Sequence, residues 1–155
     1  MNSSLGHILL IANPAAQSGA GAAAADKAAA NLRAVLGEDA VTVARTAGPR
    51  HACAIAEGAQ GARTVVALGG DGLIHEVVTG LMTRPAGDRP QLGVIPVGSG
   101  NDYARTLGVP EKVERACDLL LSACPHPVDV GRVNGSFFAD TLSFGLDAAI
   151  ALDTM

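Results

Sequence analysis

Residues 64–68 read Thr-Val-Val-Ala-Leu and pass without a break into Gly69-Gly70-Asp71-Gly72. A run apolar at nearly every position does not suit a strand with one wet face. It belongs in a sheet covered on both sides, and a sheet covered that way is ordinarily parallel. Residues 7–12, 40–45 and 92–97 are further short β-forming runs. They are stopped by Asn13-Pro14, by Thr46-Ala47-Gly48-Pro49 and by Gly98-Ser99-Gly100-Asn101-Asp102. The segments between them have helical spacing. Ala28, Leu32, Val35 and Leu36 share a face of the first helix, which follows a loop at 15–21 and closes at Gly37. Ala52, Ile55, Ala56 and Ala59 share a face of the second, ended by Gly61, and Ile74, Val77, Val78 and Leu81 a face of the third. A polar loop at 83–90, a short helix at 103–107 and a last helix carrying Val113, Ala116, Cys117 and Leu120 complete the series. Strands alternating with helices predict a parallel sheet with right-handed crossovers.

The composition agrees. Of the 155 residues 48% are hydrophobic, which excludes disorder as the main state, and only 3% are aromatic, so the core must be built from Ala, Val, Leu and Ile. The net charge is −4 and there is no basic run, which argues against a nucleic-acid groove and lends nothing to binding an anionic membrane. Cys53, Cys117 and Cys124 contain no C-x-x-C pair, so neither a disulfide framework nor a zinc site is expected. The N-terminus has no basic segment before its apolar run, and no apolar stretch approaches the ~20 residues of a membrane span. These features predict a cytoplasmic protein.

From residue 128 the pattern changes. VDVGRVNGSFFADTLSFG reads as two β-runs turning at Asn134-Gly135, the strongest short hairpin signal. The expected division is an α/β domain at 1–127 and the beginning of a β-rich domain at 128–155.

In parallel α/β sheets ligands bind beyond the carboxyl ends of the strands, and here all four strand ends carry special residues. In Gly69-Gly70-Asp71-Gly72 the glycines let a phosphate approach without meeting a Cβ, and the N–H groups opening the next helix point at it. A tight turn with no ligand fits that segment alone about as well. Gly98-Ser99-Gly100-Asn101-Asp102 repeats the arrangement on the next strand: Ser99 can donate to a phosphate oxygen, Asn101 can donate and accept, and Asp102 serves equally well as a helix N-cap. Two such loops on adjacent strands favour a bound phosphate. Asp71 and Asp102 would repel it unless a cation intervenes. Mg²⁺, which takes one or two carboxylates plus phosphate oxygens, suits them, with Asp129 a third member. No G-x-x-x-x-G-K-[ST] is present. Gly19-Ala20-Gly21-Ala22-Ala23-Ala24 fits G-x-G-x-x-A, but no acidic residue ends the second strand, so a dinucleotide reading ranks below ATP. His75 is placed on helix surface or facing the cleft, and Arg105 lies close enough to the second loop to touch phosphate.

The ordered series Asn13-Pro14, Gly69-Gly70-Asp71-Gly72, Glu76 and Pro96-Val97-Gly98-Ser99-Gly100-Asn101-Asp102-Tyr103-Ala104-Arg105 resembles the diacylglycerol kinase catalytic domain family, over residues 8 to about 151. Its superfamily includes bacterial lipid kinases and sphingosine kinases and, more distantly, NAD kinases and phosphofructokinases. The resemblance implies a three-layer α/β sandwich with a mostly parallel sheet, followed by a larger β-rich domain across an active-site cleft. It implies ATP- and Mg²⁺-dependent phosphorylation of a lipid hydroxyl at a membrane surface, with peripheral membrane association and a homodimer both compatible. By motif match the ATP-binding positions are Asn13, Thr46, Gly69, Gly70, Asp71, Gly72, Leu73, Ile74, His75, Glu76, Gly98, Ser99 and Asn101. Asp71, Asp102 and Asp129 match a water-mediated Mg²⁺ network. Asp71 is the catalytic candidate within the chain, while the family's proposed general base sits in an Asp-Gly-Glu segment of the second domain that these 155 residues do not contain. The expectation is therefore a fragment holding the ATP-binding half. Leu73 stands where the family usually has Thr, losing a hydroxyl, and Ser99 replaces another Thr, keeping one. The alternatives are an NAD kinase-like phosphotransferase and a non-catalytic nucleotide-binding module.

Overall fold

The computed structural model describes residues 4–140, so the part of the expected second domain at 141–155, and the end of the stretch that resembles the family, lie outside the described residues. Four strands, β1 (Ile8–Ala12), β2 (Val41–Arg45), β3 (Thr64–Gly69) and β4 (Gln91–Pro96), form one sheet in the order β2-β1-β3-β4. All three pairings are parallel. The crossovers are α1 (Ala16–Leu36), α2 (His51–Glu57) and α3 (Asp71–Met82), with α4 (Asp102–Thr106) and α5 (Val113–Ser122) following β4.

The two-residue period of the strands sorts the core onto two faces. Leu10, Val66, Leu68 and Ile95 pack with Ala25, Ala28 and Leu32 of α1 and with Ala116 and Cys117 of α5. Ile11, Val65, Ala67 and Val94 pack on the other side with Ala52 and Ala56 of α2 and with Ile74 and Val77 of α3. This is the expected layering of helices on both faces of a parallel sheet. Each Leu or Ile so buried contributes roughly 1.5–3 kcal/mol. Burial also pushes the Cys117 thiol up to about 11, as expected of a cysteine that only packs.

Three local expectations are corrected. Val35 is 64% exposed, because neighbours on a helix stand about 100° apart and Leu36 takes the inward place. α2 stops at Glu57, where the Gly58 N–H bonds back to Ala54; Gly61, at φ 76°, belongs to the turn into β3. The first turn of α1 is broken at Gln17, Ser18 and Gly19, all at positive φ, so the expected loop at 15–21 survives as a kink inside the helix span.

β5 (Gly131–Val133) and β6 (Ser136–Phe138) pair antiparallel as a separate two-stranded sheet. They turn at Asn134 and Gly135, both at positive φ, as a two-residue hairpin requires.

The two edges of the parallel sheet differ. On β2, the Arg33 guanidinium donates to the Val41 carbonyl and Arg45 pairs with Asp26. Along β4 lies an apolar cavity of about 340 Å³ lined by Leu92, Val94, Leu107, Leu119, Leu120 and Val128. Leu119 and Val128 remain exposed.

Gly80 sets how closely α2 and α3 approach, since a β-carbon there would strike the carbonyl oxygen of Cys53. Alanine gains about 1 kcal/mol of helix propensity over glycine, but overpacking costs roughly 1–3 kcal/mol. Gly80→Ala is therefore expected to lower stability by up to about 2 kcal/mol in urea unfolding, while Val35→Ala changes it by less than about 0.5 kcal/mol.

Candidate nucleotide-binding site

β3 and β4 are adjacent and parallel, so the loops leaving their carboxyl ends meet. A β-carbon on Gly98 would stand 2.5 Å from the Gly70 Cα and 3.2 Å from the Gly70 nitrogen. Position 98 must be glycine for the two loops to make this contact, and at Gly70 a β-carbon would stand 3.2 Å from the Gly98 Cα, a tight fit.

Asp71 joins the loops by hydrogen bonds. Its Oδ2 accepts the Asp102 N–H at 3.2 Å and its Oδ1 accepts the Tyr103 N–H at 3.1 Å. Asp71 thus caps α4 from the neighbouring loop, satisfying donors that a helix N-terminus otherwise leaves open. Asp102 is the first residue of α4 and its carboxylate makes no cap; Asn101, at φ 57°, precedes the helix. Asp102 instead pairs with Arg105 at 2.6 Å, and the same guanidinium donates to the Gly100 carbonyl at 2.7 Å. The Asp71 and Asp102 carboxylates flank Gly100, whose β-carbon would lie 3.0 Å from one and 3.5 Å from the other.

Asn101 is buried. Its Nδ2 donates to the Gly98 carbonyl at 2.8 Å, and its Oδ1 has no hydrogen-bond partner among the described residues. Gln17, from the kinked turn of α1, donates to the same carbonyl at 2.9 Å. Gln17, Gly98, Ser99, Asn101 and Glu111 line a cavity of about 390 Å³, and the Ser99 side is exposed. A second cavity, of about 280 Å³, opens beside Asp71, Gly72 and His75 and is closed by Tyr103, Phe138 and Asp140. Burial first, and the Asp140 charge second, raise the Tyr103 hydroxyl above its ordinary pKa.

The other expected residues fall into four groups. Asn13 and Thr46 end adjacent strands: the Asn13 side chain accepts the Ala15 N–H at 3.0 Å, and the Thr46 N–H donates to the Ala12 carbonyl at 2.9 Å. Leu73 and Ile74 turn their side chains into the core, so only their backbone faces the loop end. Glu76 points toward α2, where Oε1 accepts the Arg50 N–H at 2.8 Å and Oε2 the Ala52 N–H at 3.1 Å. His75 and Asp129 are exposed. Among the described residues no three of His, Cys, Asp and Glu gather as a ready-made ligand set for a metal ion. Gln17 and Glu111 were not singled out from sequence. Gln17 lies in the loop after Asn13-Pro14, the one signal that pointed to it.

The sequence model of the "Diacylglycerol kinase catalytic domain" matches residues 7–133. "Diacylglycerol kinase" of Bacillus subtilis (strain 168) is 48% identical over 82 residues, 52% of this chain and 26% of that protein. "Probable lipid kinase YegS-like" of Enterobacter sp. (strain 638) is 38% identical over 95 residues, 61% of this chain and 32% of that protein. A crystal structure of a diacylglycerol kinase from Bacillus anthracis str. Sterne superposes with a TM-score of 0.74 at 32% identity, covering 85% of this chain and 45% of that one. The chain thus spans about a third or less of these curated relatives and under half of the solved one.

The cap on α4 can be measured without any ligand. Removing a side-chain cap costs about 0.5–2 kcal/mol. Asp71→Ala, which strips two N–H groups of their acceptor, is expected near the upper end in urea unfolding, and Asp71→Asn, which keeps one acceptor oxygen, near the lower end.

Proposed function

Because this chain belongs to the diacylglycerol kinase catalytic domain family, we propose that it forms the nucleotide-binding part of an enzyme that transfers the γ-phosphoryl group of ATP to a lipid hydroxyl. The observation that carries the reading is the contact of Gly70 with Gly98, with Asp71 bonded across it. Backbone without side chains on two adjacent strand ends is a cradle for a polyphosphate. The first N–H groups of α3 have no intrahelical acceptor and supply donors there. The exposed Ser99 hydroxyl offers a further donor at the same mouth, and the buried Asn101 Oδ1 lies behind it with no hydrogen-bond partner among the described residues.

A polyphosphate fits this site only with a cation, since Asp71, Asp102 and Glu111 all border it. Each Asp71 oxygen that accepts a backbone N–H keeps lone-pair capacity for a metal-bound water. Mg²⁺ bound there would neutralise phosphate charge, the main task in phosphoryl transfer. Asp102 first has to share or exchange its Arg105 partner. Arg105, still held to the Gly100 carbonyl, then has donors to offer at the second loop, where a guanidinium suits a phosphate. The hairpin residues Phe138 and Asp140 wall the cavity beside Asp71, and we place the acceptor hydroxyl on that side. The relatives described above carry the names of lipid kinases, which favours the lipid over the NAD acceptor.

Calorimetry of the chain with ATP, with and without Mg²⁺, tests the reading. Binding at least tenfold tighter with Mg²⁺ is expected, and equal affinity in the two conditions removes the metal role of Asp71 and Asp102. Gly70→Val is expected to abolish binding, because its branched Cβ would fill the gap in which the Gly98 Cα already stands 3.2 Å from the Cβ position. A melting curve showing that the variant is folded must accompany that result.

A further inference from the structure

We propose that Glu76 is a positioning residue rather than a nucleotide contact: it ties the arm that carries Thr46 to the helix that opens at the glycine loop. The proposal rests on the nucleotide-binding reading above. The arm, residues 46–50, links the end of β2 to the start of α2. Thr46 is fixed at one end by its N–H bond to the Ala12 carbonyl. At the other end Arg50 adopts φ 65°, a left-handed conformation that non-glycine residues hold only when their surroundings impose it. What imposes it here is Glu76, whose two carboxylate oxygens accept the N–H groups of Arg50 and Ala52. The middle of the arm is closed by its own residues: the Ala47 N–H donates to His51 Nδ1 at 2.9 Å, and the His51 N–H to the Gly48 carbonyl.

The helix packing explains why Glu76 reaches this place. Gly80 lies four residues on, hence on the same face of α3, and it lets α3 press against the Cys53 carbonyl of α2. That close approach brings the N-terminus of α2 within reach of a glutamate one turn earlier. A carboxylate also complements the positive end of a helix. Glu76 is directed at the α2 amides and lines neither of the cavities beside the two glycine loops. What it governs is the distance between Thr46 and Asp71, the first residue of its own helix.

The test combines amide NMR with calorimetry on the 155-residue chain, using Mg-ATP as the probe. In Glu76→Ala the Arg50 and Ala52 amides are expected to exchange with solvent at least tenfold faster, and the Mg-ATP dissociation constant to rise about tenfold. Glu76→Gln keeps one acceptor oxygen, so it should fall between wild type and Glu76→Ala in both readouts; it decides the matter if the alanine variant does not fold. A purely structural role would let the effects of Thr46→Ala and Glu76→Ala multiply. A positioning role makes them overlap, so Thr46→Ala should cost almost nothing further once the arm is untied. Loss of affinity in Glu76→Gln with both amides still protected would mean direct contact with the ligand and overturn the proposal, as would multiplicative effects of the two alanine variants. Wild-type chain that binds no Mg-ATP overturns the kinase reading together with this one, whereas wild-type binding matched by Glu76→Ala overturns this one alone.

Discussion

A carboxylate on one strand's loop receives two backbone N–H groups from the next strand's loop, and the rest of the candidate site is arranged around that bond. Asp71 opens α3 and at the same time closes the open end of α4. The two helix starts are thereby tied to each other. The register Gly69↔Pro96 brings the two loops level, and the absence of side chains at Gly70 and Gly98 lets them touch. A phosphate site made of backbone needs this kind of constraint. Amide donors hold an anion well only if they do not have to reorganise to meet it.

The layers beneath supply rigidity by ordinary means. β1 and β3 are central and covered on both faces, so their ends are among the least mobile points of the chain. Small residues do much of the packing. Ala25, Ala28, Ala52 and Ala56 bring helices close to the sheet, and Gly80 brings α3 onto α2. Close helices carry precise positions outward to the loops they begin.

Much of this was legible in the sequence because it is local. Buried strands declare themselves by unbroken apolar runs, and strand ends by clusters of Gly, Asn and Pro. The four strands, the order of the helices, the hairpin at Asn134-Gly135 and the pairing of two glycine loops all followed from such signals. Features that depend on contacts distant in sequence did not. Nothing near Glu76 announces that its partners are Arg50 and Ala52, and nothing near Asp102 says that Asp71 would cap its helix instead. Val35 and Leu36 are equally apolar neighbours, and only the packing decides which faces inward. Gln17 reached the site through a left-handed turn that residue spacing cannot express. The roles of Asn13 and Thr46 toward a ligand follow from the motif match.

The unlike edges of the parallel sheet give it a direction of growth. On the β2 side charged side chains occupy the flank, and a newcomer would have to displace Arg33 from a carbonyl and disturb an ion pair. On the β4 side no strand pairs with Gln91–Pro96 beyond β3 among the described residues, the strand itself bears no charge, and its flank is greasy and hollow. Edges without charge or cover are where backbones recruit other backbones. Among the described residues the β4 flank is therefore the more open of the two edges to a further strand. A lysine on β4 would put a charge on the flank that lacks one, the device by which sheet edges are ordinarily kept from pairing.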